Sequence, residues 1–147
     1  MSRNSGKWQV TSGKRDLFPQ PITRNSQLLY WLPALLYMLL IFILSCFPAP
    51  EPFRKVPIIY DIKLVHIVEY GILSLLYAYA LKNTTQLNKW QLFWTAVIFT
   101  IAYGITDELH QLFVPQRTCK VSDVLGNTIG ALLFQLGYLK FNKKKLG

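Results

Sequence analysis

The hydrophobic residues of this chain fall into four runs separated by short polar segments. The first run, residues 28–47, carries no charge, and at about 1.5 Å of rise per residue it would span roughly 30 Å, the thickness of a bilayer core. Three further runs are predicted to form helices at about 63–81, 90–112 and 123–139. The pattern predicts an all-α fold, a polytopic membrane protein built as a bundle of four transmembrane helices.

Polar, basic segments flank this apolar region. We interpret residues 1–25 as a basic cytoplasmic tail, residues 26–140 as a single transmembrane domain, and residues 141–147 as a second basic cytoplasmic tail. The proline-rich stretch at 47–53 ends the first helix, since proline cannot continue it. Pro33 is expected in the first turns of that helix, where a proline is tolerated best.

Charge placement indicates a membrane and not a nucleic acid as the partner. Charged residues make up 16% of the chain, with a formal net charge of +9, against roughly 25% in typical globular chains. The positive charge lies at the two ends and between the apolar runs, so we expect membrane lipids as partners and no nucleic acid. Eleven of the 16 Lys and Arg residues fall on the side of the termini, which predicts a multi-pass protein of the cell membrane with both termini cytoplasmic.

The second helix begins with polar residues. Asp61, Lys63, His66 and Glu69 precede an uninterrupted apolar segment. Lys63, His66 and Tyr70 share one helix face by their i, i+3, i+7 spacing, and Glu69 lies about 60° from His66, close enough to join them.

The third helix ends in a similar group. Tyr103, Asp107, His110 and Gln111 are spaced i, i+4, i+7 and i+8, so they share one face. Glu108 points about 100° away from Asp107, so the two cannot fully share that face.

The connector after the third helix and the start of the fourth complete the polar set. Arg117 lies in the connector, and Asp123, Asn127 and Gly130 form one stripe on the fourth helix. In the predicted topology all of these groups lie at the same, extracytoplasmic end of the bundle. The candidate polar pocket comprises Asp61, Lys63, His66, Glu69, Tyr103, Asp107, Glu108, His110, Gln111, Arg117, Asp123 and Asn127.

Two interpretations of this pocket stay open. Ionisable groups at membrane depth are costly and therefore indicate function by default. A purely structural network of paired charges is the alternative, because such networks imitate active sites. In the functional interpretation, His66 and His110 titrate near neutral pH, and carboxylates close to Lys63 or Arg117 stay ionised.

Metal and disulfide chemistry are also open. The patterns His66-x-x-Glu69 and Asp107-x-x-His110 each pair two metal-ligand types at i, i+3, as metal-binding helix bundles do. This spacing is common by chance, so we assign no metal and leave the cofactor unknown. Cys46 and Cys119 are both expected on the outer side, where a disulfide between them could persist. Two unpaired thiols are the alternative.

The ordered set of polar, proline and glycine positions resembles the VanZ-like family of small membrane proteins, over roughly residues 30–140. Gln116 stands where the family pattern often has glycine. The positions that carry the resemblance are Asp61, Lys63 and His66, then Tyr103-Gly104, Asp107-Glu108-x-x-Gln111, Phe113-x-Pro115-x-Arg117 and Asp123-x-x-x-Asn127-x-x-Gly130. The resemblance implies an integral membrane protein with a cell-envelope role, linked in the family's named member to low-level resistance to the glycopeptide teicoplanin. It supplies no reaction and therefore no catalytic residues.

Two classes of function follow. In the first, the protein is a membrane module whose outward-facing pocket binds an envelope lipid, a lipid-linked precursor or a glycopeptide. In the second, it is a membrane enzyme acting on a lipid-linked envelope substrate, with His66 or His110 as acid–base and Lys63 or Arg117 holding an anion. The sequence leaves open whether the protein is an enzyme. A transporter is disfavoured, because the chain shows no clear inverted repeat.

Overall fold

The computed structural model describes residues 24–47, 64–115, 117 and 119–143, and it is helical and free of strands over those ranges. The predicted all-α architecture and four-helix bundle are confirmed. The helices are α1 (Arg24–Ser45), α2 (Leu64–Thr84), α3 (Lys89–Gln111) and α4 (Val121–Lys143).

Three of these helices have the length and apolar composition of membrane spans. Within the described residues, α1, α2 and α3 meet both conditions. Helix α4 has 23 residues, as many as α3, but its composition is more polar because Asp123, Asn127 and Gln135 lie on it. Those three side chains are buried in the bundle, so they lower the hydropathy of α4 without facing lipid. That α4 also crosses the membrane stays a prediction.

Helix α1 differs from its expected form. It begins at Arg24 and not near residue 28, so Pro33 lies in its interior and not in its first turns. Proline there leaves the carbonyl of Leu29 without its usual helical N–H partner. Membrane helices tolerate such a proline, because neighbouring side chains and local adjustment of the backbone can satisfy the freed carbonyl.

The core has two parts, one where α1, α2 and α3 meet and a smaller one where Phe93 and Val97 of α3 pack on Ala131 of α4. Tyr70, Leu73 and Tyr77 of α2 pack with Ile41 of α1 and Ala96 of α3, among others. Most of the remaining leucine and isoleucine side chains of α1 are exposed, as expected of a helix that presents its apolar surface to lipid.

Helices α2 and α4 approach each other closely at glycines. A Cβ on Gly130 would overlap the carbonyl oxygen of Ile67, and a Cβ on Gly71 would overlap the ring of Phe134. Small residues let helix backbones approach in this way, which is how membrane helices gain packing contacts. These contacts pair early α2 with early α4, so the two helices run parallel.

A buried polar contact joins the same two helices half-way along the bundle. Gln135 donates from Nε2 to the Ser74 carbonyl at 2.7 Å and to Ser74 Oγ at 2.8 Å. Both residues are fully buried. In a membrane such contacts hold helices together, because an unsatisfied amide in hydrocarbon is costly.

The chain enters α3 through a capping box at Asn88. The Asn88 side chain accepts from the N–H of Trp90 at 3.0 Å and of Gln91 at 2.9 Å, while Gln91 Oε1 accepts from the N–H of Asn88 at 3.0 Å. This satisfies N–H groups that have no partner within the helix. The connector after α2 is therefore short and well defined.

Candidate functional site

The described residues of the predicted pocket gather at one end of the bundle. Consecutive helices run antiparallel, so the C-terminal ends of α1 and α3 lie beside the N-terminal ends of α2 and α4. We call this the polar end. The contacts given below join side chains of different helices at this end. Asp61 and Lys63 lie outside the described residues.

The first centre is the carboxylate of Asp107, which is only 5% exposed. Its Oδ2 atom accepts hydrogen bonds from Ser45 Oγ, Tyr70 Oη and Gln111 Nε2, each at 3.0 Å. We refer to Ser45, Tyr70, Asp107 and Gln111 as the Asp107 cluster. It joins α1, α2 and α3 through a single oxygen atom.

Only one of the two carboxylate oxygens of Asp107 has hydrogen-bond donors among the described residues. Hydrogen bonds to a charged acceptor contribute about 1.5–3 kcal/mol each, more than neutral ones. The second oxygen, Oδ1, is buried and has no hydrogen-bond partner among the described residues. A buried carboxylate oxygen without a hydrogen-bond donor is costly. A ligand that offered a donor group to this atom would therefore gain binding free energy.

The second centre is formed by the adjacent residue. Glu108 is 2% exposed, and its Oε2 accepts from the main-chain N–H of Lys120 at 3.1 Å. A carboxylate oxygen of Glu108, one of Asp123 and a ring nitrogen of His66 all lie within 4.8 Å of one another. We refer to His66, Glu108 and Asp123 as the Glu108 cluster. It joins α2, α3 and α4.

The members of the Glu108 cluster have interaction partners, but one carboxylate oxygen of the cluster has none among the described residues. His66 and Asp123 each take part in a further interaction, and Ser122 Oγ donates to Asp123 Oδ1 at 3.2 Å. The Oε1 atom of Glu108 is buried without a partner in the described part of the chain. Each of the two acids therefore has one satisfied and one unsatisfied oxygen.

The thiol of Cys119 lies beside the Glu108 cluster. Burial raises its pKa, and the neighbouring charges of Glu108 and Asp123 raise it further. The thiol therefore stays protonated at neutral pH and acts as a hydrogen-bond donor to Glu108. Cys46 and Cys119 are both free thiols, which settles the alternatives left open by the sequence.

Asn127 lies beside α3 at this end of the bundle. It is fully buried, and its Nδ2 would lie 3.0 Å from a Cβ placed on Gly104, with Tyr70 Cε1 at 3.2 Å from the same point. Neither polar atom of its side chain has a partner among the residues described. Gly104 thus leaves room for an amide that can still make hydrogen bonds.

Glu69 lies apart from both clusters, beside a groove that opens between α1 and α2. The groove has a volume of about 390 Å³, and Glu69 is the one carboxylate among its lining residues, which are Tyr37, Leu64, Val65, Val68 and Glu69. Glu69 is within electrostatic range of Asp107 and of Arg117. Glu69 is therefore a carboxylate at an apolar surface, within electrostatic range of the Asp107 cluster but not part of it.

Tyr103 and His110 contact α1 and not the carboxylates. Tyr103 donates to the carbonyl of Met38 at 2.6 Å. His110 stacks on Phe42 with ring centroids 4.4 Å apart, and its Nε2 lies 3.9 Å from Cys46 Sγ. The α3 residues that were predicted to share one face therefore meet different partners.

Arg117 binds the end of α1. Its Nε donates to the carbonyl of Phe47 and its Nη2 to the carbonyl of Leu44, both at 2.9 Å. The last carbonyls of a helix have no partner within the helix and carry partial negative charge, so a guanidinium there satisfies and neutralises them. The hydrogen bonds that the structure gives to Arg117 thus position α1 and do not hold an anion.

Sequence reasoning missed three contributors to the site. Ser45 resembles any serine in an apolar run, Tyr70 was placed on the right face without a role, and Cys119 was considered only for a disulfide. Shared depth was the available signal for Ser45, because it ends α1 at the level where α3 ends. His66, Glu108 and Asp123 were all expected in one pocket, but which members of that pocket pair could not be predicted, since it depends on how each helix is rotated.

The fold and its polar end define a class of protein: a multi-pass helical membrane protein whose helix ends share buried carboxylates. The family model described as VanZ/LLP1 matches residues 34–142. The chain therefore belongs to the VanZ/LLP1 family. No curated protein and no solved structure matches the chain.

Proposed function

We propose that this protein is a cell-envelope module that binds the polar head group of an envelope lipid or lipid-linked precursor at its polar end. The described acids there are Glu69, Asp107, Glu108 and Asp123. Their excess of acceptors favours a head group that offers amine or hydroxyl donors, and disfavours a bare anion.

The observation that carries the proposal is the state of the Asp107 carboxylate. One oxygen is held by Ser45, Tyr70 and Gln111, which fixes the orientation of the group. The other is buried without a partner among the described residues. A preorganised acceptor of this kind binds a donor without paying to order its own side chain.

The groove beside Glu69 suits the apolar part of the same ligand. Leu64, Val65 and Val68 supply an apolar wall, and about 390 Å³ is within the range of ligand pockets. Glu69, at the edge of the groove, would accept from the head group while an acyl chain lies along α2.

The proposed location of this site is the extracytoplasmic face. The excess of Lys and Arg near both termini favours a cytoplasmic position for them, which puts the polar end outside. Family membership supports an envelope role, and a glycopeptide such as teicoplanin is a further ligand to consider, because it too is rich in donor groups and acts at that face.

A lipid-retention experiment tests the proposal. The protein is placed in nanodiscs that contain equal amounts of phosphatidylethanolamine and phosphatidylglycerol, re-extracted in mild detergent, and its retained lipid is identified by mass spectrometry. We expect enrichment of phosphatidylethanolamine, since its ammonium group donates to carboxylates. Glu69→Gln should move the retained ratio toward parity, and Val68→Trp should reduce total retained lipid by filling the groove.

The matched control for Val68→Trp is Ile98→Trp. Ile98 is 58% exposed on α3 and does not line the groove. Equal loss of lipid in both tryptophan variants, or enrichment of phosphatidylglycerol by the wild type, would contradict the proposal.

The same binding should appear in cells as glycopeptide tolerance. We expect expression of the wild type to raise tolerance to teicoplanin, and Glu69→Gln to reduce that gain at equal membrane abundance. If tolerance followed only the amount of folded protein in the membrane, the polar end would be a structural network.

An enzyme is the second candidate, and the Glu108 cluster favours it. His66 lies within 4.8 Å of two carboxylates, which is the setting in which an imidazole serves as acid–base. Incubation with a lipid-linked disaccharide distinguishes the candidates: a binding module returns the lipid with its mass unchanged, and an enzyme returns it altered in an amount that His66→Gln abolishes.

A further inference from the structure

We propose that His66, Glu108 and Asp123 form a binding site for a divalent transition-metal ion of the Zn²⁺ class. This goes beyond the proposed lipid binding. Neither i, i+3 pattern visible in the sequence describes this site. The three residues come from three different helices, and only the packing of α2, α3 and α4 brings them together.

The distances are close to those that a metal requires. The ligand atoms of the three side chains lie within 4.8 Å of one another. Zinc binds histidine nitrogen and carboxylate oxygen at about 2.0–2.2 Å, which puts tetrahedral ligand atoms roughly 3.4 Å apart. Side-chain rotations that shift the ligand atoms by an ångström or so would therefore bring them to metal-binding distances without movement of the helices.

An independent observation indicates that the site needs a cation. The Glu108 side chain is only 2% exposed, and its Oε1 has no partner among the described residues. Leaving such an oxygen unpaired inside the bundle is costly, and more so for a charged group. A bound cation would satisfy that oxygen and offset the repulsion between the Glu108 and Asp123 carboxylates.

The donor set favours one class of metal. One imidazole and two carboxylates suit Zn²⁺ and its first-row neighbours, whereas Ca²⁺ and Mg²⁺ prefer oxygen ligands alone. Two carboxylates with a neutral imidazole balance a divalent ion. Three protein ligands also leave the fourth tetrahedral position open, as in zinc sites that bind a water or a ligand.

The neighbouring Asp107 also has a buried oxygen without a partner among the described residues, but it lacks the other ligand-type groups. Its Oδ2 is occupied by three donors and its cluster contains no imidazole. Metal binding is therefore assigned to Glu108 and not to the pair of adjacent acids. The contact of Lys120 N–H with Glu108 Oε2 fixes the carboxylate from the other side, as outer partners do for metal ligands.

Direct metal titration tests this assignment. The protein is purified in detergent without a polyhistidine tag, stripped with a chelator, and titrated with ZnCl₂ while bound zinc is counted by elemental mass spectrometry. We expect one Zn²⁺ per chain and a rise in the thermal unfolding temperature, because a ligand that binds only the folded state stabilises it. Glu108→Gln and His66→Gln should each weaken binding about tenfold or more.

The chain offers a matched control for each variant. Glu69→Gln removes an acid at a similar depth on α2, and His110→Gln removes a histidine two positions from Glu108, but neither residue belongs to the cluster. Both controls should bind Zn²⁺ as the wild type does. Controls that lose as much affinity as Glu108→Gln would overturn the site.

A measurement on the wild type alone guards against variants that fail to fold. Co²⁺ added to the stripped protein should give the visible absorption of a four-coordinate site, and Zn²⁺ should displace it. A wild type that takes up neither ion overturns the inference. The lipid-retention experiment has a separate readout, so zinc binding without lipid enrichment would refute the proposed function and leave the metal site standing.

Discussion

Asp107 and Glu108 are adjacent in the chain and buried to a similar extent, yet they serve different interfaces. Asp107 accepts three side-chain hydrogen bonds, from Ser45 of α1, Tyr70 of α2 and Gln111 of α3 itself. Glu108 accepts one main-chain hydrogen bond and lies among ligand-type groups of α2 and α4. Consecutive residues of a helix point about 100° apart, so these two neighbouring side chains face different sides of α3.

The difference shows that burial does not determine what a carboxylate in a membrane protein does. What matters is how many donors surround it and which kind. Donors from several helices make Asp107 an anchor that holds the bundle together. An imidazole, a second carboxylate and an oxygen without a partner among the described residues leave Glu108 able to bind something else.

The largest expected effect comes from separating α2 and α4, on which the Glu108 cluster depends. Gly130→Ala should lower the free energy of unfolding by about 3 kcal/mol, because the new methyl group overlaps the Ile67 carbonyl. Unfolding in mixed detergent micelles gives the value. Gly137→Ala is the matched control, since a Cβ there meets nothing within 4 Å, and an equal loss in both variants would show that the close approach is unimportant.

The next largest effect is a difference in stability between variants of the two acids. Asp107→Asn should lower the free energy of unfolding by about 2 kcal/mol, because the amide weakens three hydrogen bonds to a charged oxygen. Glu108→Gln should cost less, since its donors are one main-chain N–H and the weak donor of the Cys119 thiol, and the repulsion from Asp123 is relieved. The same unfolding assay decides, and a larger loss for Glu108→Gln would reverse the assignment of roles.

A smaller effect is expected at the cap of α1. Arg117→Lys should cost about 1 kcal/mol, because an ammonium group cannot reproduce the two hydrogen bonds of the guanidinium fork to Leu44 and Phe47. Lys120→Ala is the control, since the hydrogen bond from Lys120 to Glu108 comes from its main chain. A loss of lipid retention at full stability in Arg117→Lys would instead return Arg117 to an anion-binding role.

Much of this arrangement was predictable from residue spacing. The number of helices follows from the apolar runs, the gathering of polar groups at one end from the alternating direction of the helices, and the divergence of Asp107 from Glu108 from periodicity. Helix rotation does not, so the pairing of His66 with Asp123 and the position of His110 against Phe42 needed the structure. The role of Arg117 was also out of reach, because a connector has no periodicity from which to infer what its side chains contact.

The central claim is that the Asp107 and Glu108 clusters are separate units, and one double-mutant comparison tests it most directly. The cost of Tyr70→Phe is measured in the wild type, in Asp107→Asn and in Glu108→Gln by unfolding in mixed detergent micelles. Residues in one network couple by about 0.5–3 kcal/mol, whereas independent sites add within about 0.5 kcal/mol. We predict that Asp107→Asn largely removes the cost of Tyr70→Phe and that Glu108→Gln leaves it unchanged. Loss of that cost in the Glu108→Gln background, or its persistence beside Asp107→Asn, would contradict the account.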